Sequence, residues 1–258
     1  MSIIKSCAKA ANHSSRMTLP QEIGDAAQDT NRDRVMAWLE GGGSINDVDE
    51  DGYTLLNCCA CGNRQRCVIN DQHVALARHL ISLGADVSIA TLAGGTSPLL
   101  NTVMNAADES SIHMMSLLLG AGANVNTRDC NGDTPLYWAI HPSTLRITII
   151  TELLRAGASL DACSGDQTAE DIIQRKESNN SALAGNEHWK EIKALVHGVR
   201  HHGSYKRYAR SFHRDVLAVR GLAQRGKLST SDPVLSFLAR RADNGVAWKI
   251  LEYWRATN

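Results

Sequence analysis

Aromatic side chains are scarce: Phe, Trp and Tyr together make up 5% of the 258 residues, and only two are Phe. An all-β sandwich needs more aromatic and β-branched side chains than this for its pleated faces, so the composition points to a helical array. Net charge is lacking too. Twenty-seven Lys and Arg balance 27 Asp and Glu, which excludes a whole-chain pull toward nucleic acid or anionic membrane. No apolar run approaches the ~20 residues that span a bilayer, so a soluble protein is expected. No acid precedes Glu22, and Lys5, Lys9 and Arg16 stand among several Ser. This composition suits a flexible leader over residues 1–18 better than a cleaved organelle transit peptide. Nothing in the seven Cys suggests a secreted disulfide framework: the number is odd and Cys58, Cys59 and Cys61 are crowded together. A reducing compartment is expected, the cytoplasm first and the nucleus as an alternative.

What is present is a repeat. Gly84-Ala85-Asp86-Val87, Gly122-Ala123-Asn124-Val125 and Gly157-Ala158-Ser159-Leu160 each follow an apolar stretch, at spacings of 38 and 35 residues. Those are periods of repeat arrays. Gly52-Tyr53-Thr54-Leu55-Leu56, Gly95-Thr96-Ser97-Pro98-Leu99 and Gly132-Asp133-Thr134-Pro135-Leu136 keep step upstream of them. Within one unit, Asp129-Cys130-Asn131-Gly132 is turn chemistry, Thr134 can cap a helix whose first turn holds Pro135, and Leu136 to Ile140 give it an apolar face. His141-Pro142 break that helix. Ile147, Ile150, Leu153 and Leu154 then form the stripe of a second helix that ends at Gly157. Two such short helices cannot bury their apolar faces alone and must stack on neighbours.

The pattern Asp129-x-x-Gly132-x-Thr134-Pro135-Leu136 followed by Leu153-Leu154-x-x-Gly157-Ala158 resembles the ankyrin-repeat family. The resemblance covers about 175 residues, roughly two thirds of the chain. It implies an N-terminal capping repeat over residues 23–46, further repeats from Asp49, Leu92 and Asp129, and a degenerate last one from near Cys163. The expected fold is therefore all-α: an ankyrin-repeat solenoid of about four to five repeats over residues 19–198. A basic, amphipathic helical extension over 199–258 follows it. Insertions are read as loops at Asn63 to Gln72 and around Asp108 to Ser111, and Ser178 to Gly185 as another polar loop. Glu170 stands where the pattern calls for an apolar residue.

By the same resemblance the working surface is a groove of hairpin tips and first helices that binds a protein partner without catalysis. The aligned positions are Glu50, Asp51, Tyr53 and Cys61, then Ala93, Gly94, Thr96 and Met104, then Cys130, Asn131, Asp133 and His141. Tyr53 and Met104 are the expected anchors, because aromatic and thioether groups desolvate well at interfaces. Asp49-Glu50-Asp51 reads as a solvated acidic patch that helps to choose the partner. No nucleophile-base-acid set is legible, and Gly41-Gly42-Gly43 lacks the Lys-Ser/Thr of a phosphate loop, so no enzyme activity and no cofactor are expected. Cys58-Cys59-x-Cys61, with Cys67, His73 and His79 downstream, departs from zinc-ligand spacing. It reads as buried small side chains rather than a metal or redox site.

Residues 199–228 hold eight Lys and Arg against Asp215 alone, a local charge of +7, and carry Tyr205, Tyr208 and Phe212. Contact with RNA or anionic lipid is an alternative there. Val216, Leu217, Val219 and Leu222 instead favour an amphipathic helix packing on the last repeat. Two further short helices follow from Ser231, and Asn244 to Trp254 looks faintly like the first helices of F-box modules, without their Leu-Pro. The C-terminal segment also resembles a suppressor-of-cytokine-signalling box, from which it departs in having no Cys in Leu217 to Leu228. From these comes the alternative function, a substrate-recognition adaptor of a ubiquitin ligase docked through the C-terminal helices. A monomer is expected.

Overall fold

A computed structural model describes residues 19–140, 147–161 and 163–211. The expected leader, the loop containing His141, and the helices expected beyond Ser211 lie outside them. Among the described residues the chain is all helical, with isolated bridges at Asp133, Ser164 and Gln167 in place of strands. It divides into two compact units between His197 and Gly198.

The first unit consists of helix pairs. α1 (Gln21–Gln28) and α2 (Arg32–Glu40) form the first, α3 (Leu55–Cys61) and α4 (Asp71–Ser82) the second, and α5 (Pro98–Met104) and α6 (Glu109–Gly120) the third. α7 (Pro135–Ala139) and α8 (Ile147–Arg155) form the fourth. α9 (Ala169–Asn179), a short 3-10 helix (Ser181–Gly185) and α10 (Glu187–His202) complete the described helices named here. Each first helix packs on the next in file, α1 on α3, α3 on α5, α5 on α7 and α7 on α9.

Local chemistry explains where these helices begin and end. Thr54, Ser97, Thr134 and Thr168 occupy equivalent positions, and each accepts a backbone N–H of its helix's first turn through its hydroxyl oxygen. Pro98 and Pro135 sit in those first turns, where a missing N–H costs nothing. At the other end, α2, α4, α6 and α8 run into Gly42, Gly84, Gly122 and Gly157, all with φ between 93° and 99°. The next residue donates its N–H back toward the helix, as Ala85 does to Leu80 (3.0 Å), Ala123 to Leu118 (3.0 Å) and Ala158 to Leu153 (2.9 Å). Repetition of this turn sends each chain segment back to start the next pair.

The core is filled from both helices of every pair. Leu55, Leu56, Leu99, Leu100 and Leu136 come from first helices; Leu80, Met114, Met115, Leu118, Ile150 and Leu153 come from second helices. All are at most 1% exposed. Each such side chain contributes on the order of 1.5–3 kcal/mol by leaving water, which is how helices of five to twelve residues persist although they would be marginal alone.

Two expected loops are helical instead. Asp108 is the N-cap of α6, its carboxylate accepting the Ser111 N–H at 3.2 Å, so Ser110 and Ser111 lie within the helix rather than in an insertion. Ser178 and Asn179 form the end of α9, and Ser181–Gly185 forms the 3-10 turn. In both places the capping side chain holds a short polar stretch in helical form. By contrast, the expected loop from Asn63 to Gln72 is found as far as Asn70, and its last two residues, Asp71 and Gln72, instead open α4 behind Asn70, whose side chain and that of His73 cap each other's backbone.

In the second unit, residues 205–211 are helical and Tyr208 is buried. Its ring lies where a Cβ on Gly198 would be, and it meets His202 and Tyr205 edge-on or tilted. Tyr208 therefore fills space here rather than standing out as a stacking platform.

Candidate functional site

The hairpins between pairs are built to one plan. The Asp49 carboxylate accepts the N–H groups of Asp51 (3.0 Å) and Tyr53 (2.8 Å), while Asp49 donates its own N–H to the Tyr53 carbonyl (3.0 Å). Asp129 repeats this with Asn131 and Asp133, both at 2.9 Å. Asp49 is thus buried turn hardware, and only Glu50 and Asp51 of the expected acidic patch are exposed.

The hairpin before α5 has one residue more. Thr91, not Leu92, takes the part of Asp49: its hydroxyl accepts the Thr96 N–H at 3.1 Å, and its N–H reaches the Thr96 carbonyl at 3.1 Å. The extra residue pushes Leu92 outward until it is 56% exposed. Sequence reading missed this side chain, because Leu92 falls in the slot where the other hairpins carry their buried Asp.

Neighbouring fingertips are joined by backbone rungs. Leu92 N–H donates to the Asp51 carbonyl (2.8 Å), Cys130 N–H to Gly94 (3.0 Å), and Gly165 N–H to Gly132 (3.3 Å). These rungs bring Glu50, Asp51, Ala93, Cys130 and Asn131 together as exposed tips. Gly94, Thr96 and Met104 are half-buried beside them, and so are Tyr53 and Cys61. Tyr53 is consequently less open than an anchor exposed to water would be. Burial raises its phenol pKa, and the neighbouring Cys61, Cys58, Asp51 and Asp49 add to the shift.

Asp133 departs from expectation. It is 7% exposed, withdrawn from the surface by the bridge to Ser164 of the next hairpin. Burial raises its carboxyl, opposed by a hydrogen bond from Ser164 and by the cations Arg175 and Lys176. His141, the remaining expected site residue, lies outside the described residues.

Tyr137 and Trp138, T-shaped at 5.6 Å between centroids, were not singled out from the sequence. The Trp138 ring N–H donates to Asp129 at 3.2 Å. Lys176 on α9 places its Nζ 5.0 Å from the Tyr137 ring centroid. That nitrogen is enclosed and has no hydrogen-bond partner among the described residues.

The cysteines segregate. Cys58, Cys59 and Cys163 are buried, Cys61 half-buried, Cys67 and Cys130 exposed. Burial first, then the other sulfurs, raises the Cys58 and Cys59 thiols strongly and lifts Cys61 to about 12. Among the described residues, no group of three or more His, Cys, Asp or Glu could hold a metal ion. Thiolates are the reactive species, so native reduced protein treated with an aromatic disulfide reagent should label Cys67 and Cys130 quickly. Cys58, Cys59, Cys61 and Cys163 should wait for denaturant. Fast labelling of Cys59 in native protein, read by peptide mass spectrometry, would contradict its burial.

No family model matches the chain. It is similar to the B-cell lymphoma 3 protein homolog of Mus musculus, an ankyrin-repeat protein, at 35% identity over 89 residues. That match spans 34% of this chain and 18% of the mouse protein. Among the described residues, no helix is long and apolar enough to cross a membrane.

Proposed function

We propose that the chain is a non-catalytic protein-interaction module of the ankyrin type, taking a protein partner on the face made by fingertips and first helices. The observation that carries the reading is the alignment of that face. First helices pack in file, and three backbone rungs hold the tips side by side with Glu50, Asp51, Leu92, Ala93, Cys130 and Asn131 exposed. The partial likeness to the mouse protein supports it. The second fingertip supplies carboxylates and the third an aliphatic side chain, a pairing that selects a partner segment carrying basic and apolar residues together. The ubiquitin-ligase alternative rests on residues 229–258, outside those described, and would be distinguished by cullin machinery that co-purifies only while they are present.

Affinity capture with mass spectrometry tests the reading. The full chain should retain a partner that is lost from E50K/D51K and from Y53A/M104A, with apparent affinity down about tenfold or more. The fingertip variant should keep the melting temperature of the parent, because its two side chains touch nothing in the core. If capture is unchanged in both variants, the partner does not use this face.

A further inference from the structure

One imidazole closes two helix ends that belong to different pairs. Gln28 is the last residue of α1, where the carbonyl finds no acceptor's partner within the helix. His73 Nε2 lies 2.8 Å from that carbonyl oxygen, across 45 residues of chain. A carbonyl can only accept, so Nε2 carries a proton. On its other side the ring meets the start of α4, where Asn70 donates its backbone N–H to Nδ1 at 3.2 Å. His73 is 1% exposed, so these partners are not exchanged for water.

A second contact at Nδ1 is incompatible with the first. The Asn70 side-chain oxygen lies 2.8 Å from the same nitrogen. Its other bonds fix that oxygen as an acceptor, since it takes the N–H groups of Gln72 (3.0 Å) and His73 (3.1 Å). With a lone pair on Nδ1, the ring accepts the Asn70 N–H and faces the side-chain oxygen lone pair to lone pair. With a proton on Nδ1, the ring donates to that oxygen, and the Asn70 N–H faces a second donor. The proton selects which of the two contacts is a hydrogen bond, and the ring stays in place.

We propose that His73 is a proton-operated switch between the first and second helix pairs: the neutral ring holds the Asn70 N–H, and the imidazolium releases it and holds the Asn70 side-chain oxygen instead. The loop from Gly62 enters α4 through Asn70, so proton uptake loosens the end of that loop. α1 stays capped throughout, because Nε2–H donates to Gln28 in both states. Burial lowers the pKa of the ring, and the Gln28 carbonyl and Asp29 oppose the shift. Other charges near the elements around it are engaged elsewhere. Asp71 of α4 accepts from Ser110 (2.9 Å), Arg64 of the loop pairs with Asp25 of α1 (2.7 Å), and Glu109 and His113 of α6 face each other (4.0 Å). α3 carries no charged residue. The unfolded chain takes up the proton near pH 6.5 and the folded chain only below it, so the stability that the neutral ring contributes is full above pH 6.5 and is lost as the pH falls through the window beneath.

Nuclear magnetic resonance of the nitrogen-15-labelled full chain, titrated from about pH 7.5 to about pH 5, tests the switch. At the upper end the His73 ring should be neutral with its proton on Nε2. As the ring titrates, the Asn70 amide should lose protection about fivefold, after correction for the intrinsic pH dependence of exchange. The Leu100 amide, capped by Ser97 with no imidazole at hand, should keep its protection. H73Q removes the titrating group, and Asn70 protection should then be flat across the range. The switch is overturned by a neutral ring protonated on Nδ1, by a ring that stays neutral until the fold is lost, or by an Asn70 amide that does not follow the ring. Asn70 protection that still varies with pH in H73Q overturns it too. Should that variant fail to fold, the titration of the parent decides alone. No partner is needed, so this result is independent of the capture experiment.

Discussion

Gly52→Ala is expected to destabilise the first unit by about 2–4 kcal/mol. Gly52 has φ +84°, where a side chain is strained whatever the space around it. A Cβ there would also lie 2.5 Å from the Leu92 backbone nitrogen, the donor of the rung to Asp51. The neighbour is backbone and cannot swing aside, so relief requires parting the second and third fingertips. Urea titration should show a clearly lower midpoint in the variant. G42A offers the comparison: Gly42 has φ +99° but nothing within 4 Å of its added Cβ, so it should lose only the strain component, on the order of 1 kcal/mol. Equal losses in the two variants would mean that the fingertip contact carries no weight.

Lys176→Met is expected to stabilise the protein at neutral pH, by about 1–2 kcal/mol after allowance for solvent screening of the half-buried side chain. Burial, with Arg175 as the second cause, lowers the Lys176 ammonium to about 8, and Asp133 opposes the shift only weakly. The attraction to the Tyr137 ring offsets part of this penalty. The sign follows from proton counting. Between about pH 8 and 10.5 the unfolded chain binds the proton and the folded chain releases it, so stability rises with pH across that window. Below about pH 8 both states are charged and the full penalty is felt. The difference in unfolding free energy between K176M and the parent should therefore be largest below pH 8 and shrink toward pH 10. A pH-independent difference would show that the methionine acts by packing alone.

Much of the architecture is written in short patterns, because local chemistry enforces it. Thr134-Pro135-Leu136 can cap and start a helix with no help from elsewhere, and the glycine-alanine turns close helices by backbone bonds that any neighbouring sequence tolerates. The errors lie where a residue's fate depends on a neighbouring pair. Asp133 matches half-buried Tyr53 and Thr96 by position, but Ser164 of the following hairpin draws it further inside. Lys176 of α9 lies over the Tyr137 ring of α7, a contact that no local pattern around either residue signals. The third hairpin misleads for another reason: Leu92-Ala93-Gly94-Gly95 fits the glycine landmark whether its turn holds four residues or five. Only the Thr91 to Thr96 bonds fix the count, and with it the exposure of Leu92.

The rungs between fingertips use main-chain atoms alone. Glu50, Ala93 and Asn131 contribute no side chain to them, so these three can be exchanged for other side chains while the spacing of the tips stays fixed. On the proposed reading, recognition and scaffold are thereby separated at the level of single atoms. A library randomised at residues 50, 93 and 131 should yield proteins that share one melting temperature yet differ in what they bind.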